Sequence, residues 1–189
     1  DAAAGIGTQS LAAAAAGHRV VARDLSQRAV ERLRREAAAR ELDLDVAVAD
    51  LRTLDTALDP GFDVVMAFDN VIPHLVEDDD IVAAFTAWGR LLRSGGSVLI
   101  SVRDYDAVER GVDVELPYGE RREGGRTYRL EQRWRWRDEE LYDTTFVVEE
   151  EVQGSWVTRV ETTALYRALS LRRLSELMRA GGLLPRRMD

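Results

Sequence analysis

The sequence predicts an α/β fold in which a parallel sheet carries helices on both faces and a small antiparallel β insertion is added. Three observations carry this. Helical and strand patterns alternate from the start to about Val102, glycines at 5 and 7 stand directly ahead of a helical run, and period-two alternation takes over beyond Arg126.

The opening loop DAAAGIGTQ leads into SLAAAAAG, a helix closed by Gly17. HRVVARD reads as a strand ending at Asp24. Ser26 is placed to cap a charged amphipathic helix that runs to about Arg40. The next strand, LDVAVAD, ends in Asp50, and FDVVMAF follows beyond Pro60 and Gly61. A helix from about Asp78 to Leu92 stops at Ser94, Gly95 and Gly96, and the strand SVLISV completes the alternating series. From Asp104 to Arg126 the chain is glycine-rich and charged. In TYRLEQRWRWR, Tyr128, Leu130, Gln132, Trp134 and Trp136 share one face while Arg129, Glu131, Arg133, Arg135 and Arg137 share the other, the pattern of a half-buried strand. LYDTTFVVEEE and SWVTRVETTALYRA continue it with Gly154 near the turn, and SLRRLSELMRAGG forms a last helix. The expected organisation is an α/β core over 1–103, an antiparallel substrate-side insertion over 104–168, and a return to the core over 169–189.

The 189 residues suffice for one sizeable domain, and a 46% hydrophobic content supports a packed core. Cysteine is absent, which removes disulfides and thiolate metal sites and fits a reducing, cytoplasmic setting. A net charge of -8 disfavours nucleic acid and anionic membranes as partners. No apolar run approaches the roughly 20 residues that cross a bilayer. Every basic residue is arginine, so a phosphate-loop lysine and a Schiff base are both excluded. A small-molecule partner and no metal are the expectation, with the oligomeric state left open.

Two cofactors suit the opening loop. Dinucleotide sites use Gly-x-Gly-x-x-Gly, whose third glycine lets the helix pack closely on its strand. Ser10 stands at that third position. Asp1, four residues before Gly5, adds a carboxylate that suits a cofactor with an ammonium group and no phosphates.

Through Asp1, Ala3, Gly5, Gly7 and Gln9 the loop resembles the first motif of class I S-adenosylmethionine-dependent methyltransferases, in the form found in glycine and sarcosine N-methyltransferases. Further matches follow in order: Asp24 and Leu25 at the end of HRVVARD, ADL at Ala49 to Leu51, FDNVIPHL, and LLRSGGSVLISVRDYD. The resemblance covers nearly the whole chain, QRWRWRDEELYD included. It implies a Rossmann-like class I methyltransferase fold with S-adenosylmethionine as cofactor. In it Asp24 binds both ribose hydroxyls, Asp50 and Leu51 lie at the adenine, and Asp69 joins the cofactor group. The resemblance also implies that Asn70 stands beside the substrate amine or carboxylate, and that Arg103, with Tyr105 near it, grips a carboxylate through two parallel hydrogen bonds.

Alternatives stay open at this level. Asn70 is also ordinary turn chemistry before Pro73, Arg103 also suits a salt bridge to Asp104 or Asp106, and His74 suits either proton acceptance or loop orientation. The expected reaction is N-methylation of a small, glycine-like amino compound, and Asn70 and His74 are the catalytic candidates. The competing readings are a larger natural-product acceptor lined by Tyr128, Trp134, Trp136, Tyr142 and Trp156, a nicotinamide-dependent oxidoreductase, and a non-catalytic binding remnant. RWRWR as a nucleic-acid surface and EDDD as a cation site are disfavoured, because neighbouring acids neutralise the first and the second opens a helix. The family's first strand and N-terminal lid are absent here, and of its last two strands only LLPRRMD can be a beginning, so the chain reads as a fragment whose own activity is less secure than its family's.

Overall fold

The computed structural model describes residues 1–188. They form two units, one of residues 1–72, 77–103 and 172–188 and the other of 73–76 and 104–171.

In the first unit the glycine loop passes into α1 (Thr8–Ala15), followed by β1 (Val20–Asp24), α2 (Gln27–Ala39) and β2 (Leu44–Val48). Ser26 caps α2 by accepting the Ala29 N–H at 3.3 Å. Val30, Leu33 and Ala37 recur at helical spacing and are buried, so one stripe of α2 packs into a core with Ala4, Leu11, Val20, Ala22 and Val46. After a short 3-10 segment (Leu51–Thr56) come β3 (Phe62–Ala67), α3 (Asp78–Leu91) and β4 (Leu92–Ile100).

β1 pairs with β2 and β3 with β4, both in parallel. Asp1–Ala4 stands between the two pairs. The Asp1 amine and the Ala4 N–H donate to Val21 O and Arg23 O at 2.8 and 2.9 Å, Arg23 N–H donates to Asp1 O at 2.9 Å, and Ala2 N–H donates to Met66 O at 2.8 Å. The order is therefore β2, β1, Asp1–Ala4, β3, β4, and these few residues make the main-chain bonds of a central strand.

The sequence places Gly95 and Gly96 in a turn before the last parallel strand, whereas β4 already begins at Leu92 and carries them within it. Its register against β3 shifts between Phe62 and Val64 to accommodate them. A Cβ on Gly96 would lie 3.0 Å from Phe62 O, so a side chain there would require the two main chains to move apart by a few tenths of an ångström.

The second unit holds four antiparallel strands in the order β5 (Val114–Glu123), β6 (Arg126–Trp136), β7 (Leu141–Val152) and β8 (Ser155–Arg167). β5 falls in the stretch read only as glycine-rich and charged. It is almost wholly exposed, so no apolar period announces it. The β7–β8 turn is Gln153–Gly154 with φ of 52° and 80°, a pair of left-handed residues that suits the strand twist. Around Tyr142 gather Trp134, Trp136 and Tyr166, with ring centroids 5.0, 5.1 and 5.6 Å away. α4 (Leu171–Ala180) ends the regular structure. Among the described residues no helix is long and apolar enough to cross a membrane.

Candidate cofactor and substrate site

Gly5 and Gly7 take φ of 54° and 97°, a backbone course that disfavours side chains. A Cβ on Gly7 would lie 2.1 Å from Leu33 Cδ1, so this glycine lets the loop close onto α2. The loop's direction brings the Gly5 N–H to Asp24 Oδ2 at 2.7 Å, while the Ser26 N–H reaches Asp24 Oδ1 at 2.8 Å. Each oxygen thus accepts one main-chain bond and keeps a further lone pair, the acceptor set that two vicinal hydroxyls need.

Asp1 is held by Ser10, whose fully buried hydroxyl donates to Oδ2 at 2.6 Å. The Ala3 N–H donates to Asp1 Oδ1 at 3.4 Å. Ser10 counted in the sequence only as a missing glycine. Its hydroxyl, nine residues from an acid, shows its partner only once α1 folds back over Asp1.

At the end of β3, Gln9 Nε2 donates to Asp69 Oδ2 at 3.2 Å, joining two residues that the family resemblance assigns to the cofactor. Asp69 and Asn70 have φ of 58° and 62°, two consecutive left-handed residues that are not glycine. Such conformations cost about 1 kcal/mol or more each and persist where neighbours enforce them. Ser101 enforces these: its hydroxyl accepts the Asp69 N–H at 2.9 Å, and its carbonyl accepts the Asn70 N–H at 3.2 Å. Asn70 Oδ1 in turn accepts the Arg103 N–H at 2.9 Å, so two candidate substrate residues are tied together. Ser101 gave no signal of its own in the sequence.

Asp50 receives Arg52 at both oxygens, and this guanidinium holds its carboxyl below the usual carboxylate range. The Leu51 carbonyl accepts Trp88 Nε1–H at 2.9 Å and fixes the 3-10 segment to α3. Leu25 is 73% exposed although it follows Asp24 directly. Ile6 and Val48 are also exposed, the first beside Gly5 and the second paired with Asp24 across β1 and β2. A small concavity lined by Asp1, Val21, Leu54, Phe62 and Val64 includes none of Asp24, Asp50 and Asp69.

In the second unit, His74 ends a short turn and packs edge-on against the Tyr166 ring, centroids 4.3 Å apart. Tyr105 is 1% exposed, and its hydroxyl bonds that of Tyr142 at 2.7 Å, so it belongs to the aromatic core of this unit. Trp134 and Tyr142 are core residues too, and Arg129 lies 4.5 Å over Trp156. The arginines opposite pair with acids: Arg129 with Glu149, Arg133 with Glu131, Arg135 with Glu115 and Arg137 with Asp143. In the acidic run that opens α3, Asp78 pairs with Arg173 and Asp80 with Arg52. No group of three or more possible metal ligands occurs among the described residues.

A glycine loop, a parallel order of β2, β1, Asp1–Ala4, β3, β4, and acids at successive strand ends define a Rossmann-like class I methyltransferase fold. The methyltransferase domain family matches residues 1–96, just over half of the sequence, and the chain belongs to that family. A curated relative, the glycine/sarcosine N-methyltransferase of Parasynechococcus marenigrum (strain WH8102), is 30% identical over 111 residues, which cover 59% of this chain and 39% of the relative. The chain thus matches about two fifths of that protein's length. An S-adenosylmethionine-dependent methyltransferase from Clostridium acetobutylicum ATCC 824 superposes with a TM-score of 0.77 at 17% identity, covering 95% of this chain and 70% of its own. CalS10, an amino pentose methyltransferase from Micromonospora echinaspora solved with S-adenosylmethionine bound, has a TM-score of 0.68 at 15% identity and covers 91% and 78%.

The cofactor of this family is S-adenosylmethionine. The chain's own residues fit it, because carboxylates surround the loop and no lysine is present to clasp phosphate. The nicotinamide reading falls with the family match.

Proposed function

We propose that this chain transfers the methyl group of S-adenosylmethionine to the nitrogen of a small, glycine-like amino compound. The observation that supports it best is the loop in which the Gly5 N–H binds the Asp24 carboxylate while Ser10 holds that of Asp1. Asp24 takes the ribose hydroxyls, Asp1 and Asp69 face the cationic half of the cofactor with Ala3, Gly5, Gly7 and Gln9 forming the cradle, and Leu25, Asp50 and Leu51 take the adenine.

When bound, the cofactor supplies a methyl group on a positively charged sulfur. The acceptor would be a neutral amine, held by the chain's own residues with its lone pair behind that methyl group. The protein's part is orientation, worth several kcal/mol when the nucleophile is held in line. Asn70 orients the amine and Arg103 grips the carboxylate through its fork; His74, in the second unit, is a candidate proton acceptor only. Tyr105 supports the loop after Arg103 from the aromatic core.

The amino-acid substrate follows the partial relative in which the activity is named. An amino-sugar acceptor is the second reading, favoured by the acceptor named for CalS10. A panel of glycine, sarcosine and amino sugars with methyl-labelled cofactor tests both. Label in glycine or sarcosine supports the first, label only in the sugars supports the second, and label in none refutes both. Arg103→Met is expected to raise KM for glycine at least tenfold and leave the Kd for S-adenosylhomocysteine within twofold. Unchanged glycine kinetics would remove Arg103 from the substrate site.

A further inference from the structure

Asp50 is gripped from within its own turn. Arg52 Nε lies 3.0 and 3.1 Å from the two Asp50 oxygens, Nη2 lies 2.6 Å from Oδ2, and the Arg52 main-chain N–H reaches Oδ1 at 2.9 Å. The remaining arm of the fork, Nη1, reaches Asp80 Oδ1 on α3 at 2.9 Å.

A purely mechanical role would be to tie the 3-10 segment to α3. That tie already exists in Trp88 Nε1–H to Leu51 O and in Arg90 to Asp55, each 2.9 Å. A bond between residues two apart adds little to such a tie. What it does set is the plane and the charge of one carboxylate, because a guanidinium offers its donors in a rigid, flat fork. With Nε, Nη1 and Nη2 each turned onto one of two acids, most of the Arg52 donors are spent on carboxylates.

We propose that Arg52 is a positioning residue that makes Asp50 selective for a purine bearing an exocyclic amine. Held flat and ionised, Asp50 accepts from the 6-amino group of adenine. A 6-carbonyl at the same place meets lone pairs instead, and Arg52 withholds the donors that would welcome it. The proposal rests on the reading of Asp50 as the adenine acid.

The test is calorimetric titration of the chain with S-adenosylhomocysteine and with S-inosylhomocysteine, in which a carbonyl replaces the amine. The wild-type chain should favour the adenosyl compound about tenfold or more, the effect of an unpaired buried polar group. Arg52→Met should bring the ratio close to one. Asp80→Asn should keep the ratio, since its amide oxygen still accepts from Nη1 and the grip on Asp50 is untouched. Arg52→Lys, which retains charge without the fork and serves if the methionine variant fails to fold, should lower the ratio as well. A ratio kept by Arg52→Met, or by Arg52→Lys where only that variant folds, overturns the role of Arg52 and leaves Asp50 at the adenine. A wild-type ratio near one, or no binding of either compound, overturns the reading of Asp50 and the proposal with it.

Discussion

Ser10 shows how much one hydroxyl can carry. It is fully buried and has Asp1 as its acceptor, so Ser10→Ala removes a charge-assisted hydrogen bond and leaves Asp1 Oδ2 short of a donor. The expected loss is about 1–2 kcal/mol in urea unfolding. Binding of S-adenosylhomocysteine should weaken several-fold as well, and an unchanged affinity would separate Asp1 from the cofactor. Gly7 is constrained twice, by φ of 97° and by Leu33 Cδ1 at 2.1 Å from where its Cβ would stand. Gly7→Ala is expected to cost about 2–3 kcal/mol through strain and overpacking. The glycine was legible in the sequence by its spacing. The role of Ser10 was not, because a residue type says nothing about which distant group will face it.

At the scale of elements, β1 and β2 are joined by more than their ladder. Arg23 is 7% exposed and donates to Asp45 Oδ1 and Oδ2 at 3.1 and 2.8 Å. Asp45→Asn would leave that guanidinium buried without its counter-charge, and a loss of about 1–3 kcal/mol is expected, reduced from the fully buried case because Asp45 itself meets solvent. Double-mutant analysis with Arg23→Met isolates the pair. Gly181, just after α4, lies where a Cβ would come within 2.5 Å of Phe85 Cβ on α3. Gly181→Ala should therefore lower the unfolding midpoint by pushing this segment off Phe85. Periodicity marked α2, which buries a regular stripe, and short apolar runs marked β1, β2 and β3. It missed β5, whose residues are mostly solvated, and it misjudged where β4 starts.

For the whole molecule, the shifted carboxylates set the response to acid. Asp50 is held below its ordinary 3.8 first by the Arg52 hydrogen bond, and Asp45 below 3.8 first by that from Arg23. With folded values below unfolded ones, the unfolded chain binds more protons as pH drops past about 4, so their stabilisation is complete above that pH and is lost as pH falls through the folded values. Thermal unfolding from pH 7 down to 3 should show a midpoint nearly constant to about 5 and falling below 4, with a smaller fall for Arg52→Met. Parallel curves would show that the Asp50–Arg52 pair contributes nothing. Cofactor reads out on the same scale: at about 100 times its Kd, S-adenosylhomocysteine should add about 2.7 kcal/mol of stability, while NADH should add none.

The sequence by itself determined the alternation of elements, the left-handed glycines of the loop, the acids at strand ends and the family they resemble, since all of these lie within a few residues of one another along the chain. Tertiary structure alone decided that Asp1–Ala4 bonds to strands on both sides, that Ser101 holds Asp69 and Asn70 left-handed, and that Tyr105 gives its hydroxyl to Tyr142. Those are pairings between residues 19 to 64 positions apart. Local propensity has no term for them, because hydrogen-bond partners at such separations are chosen by packing.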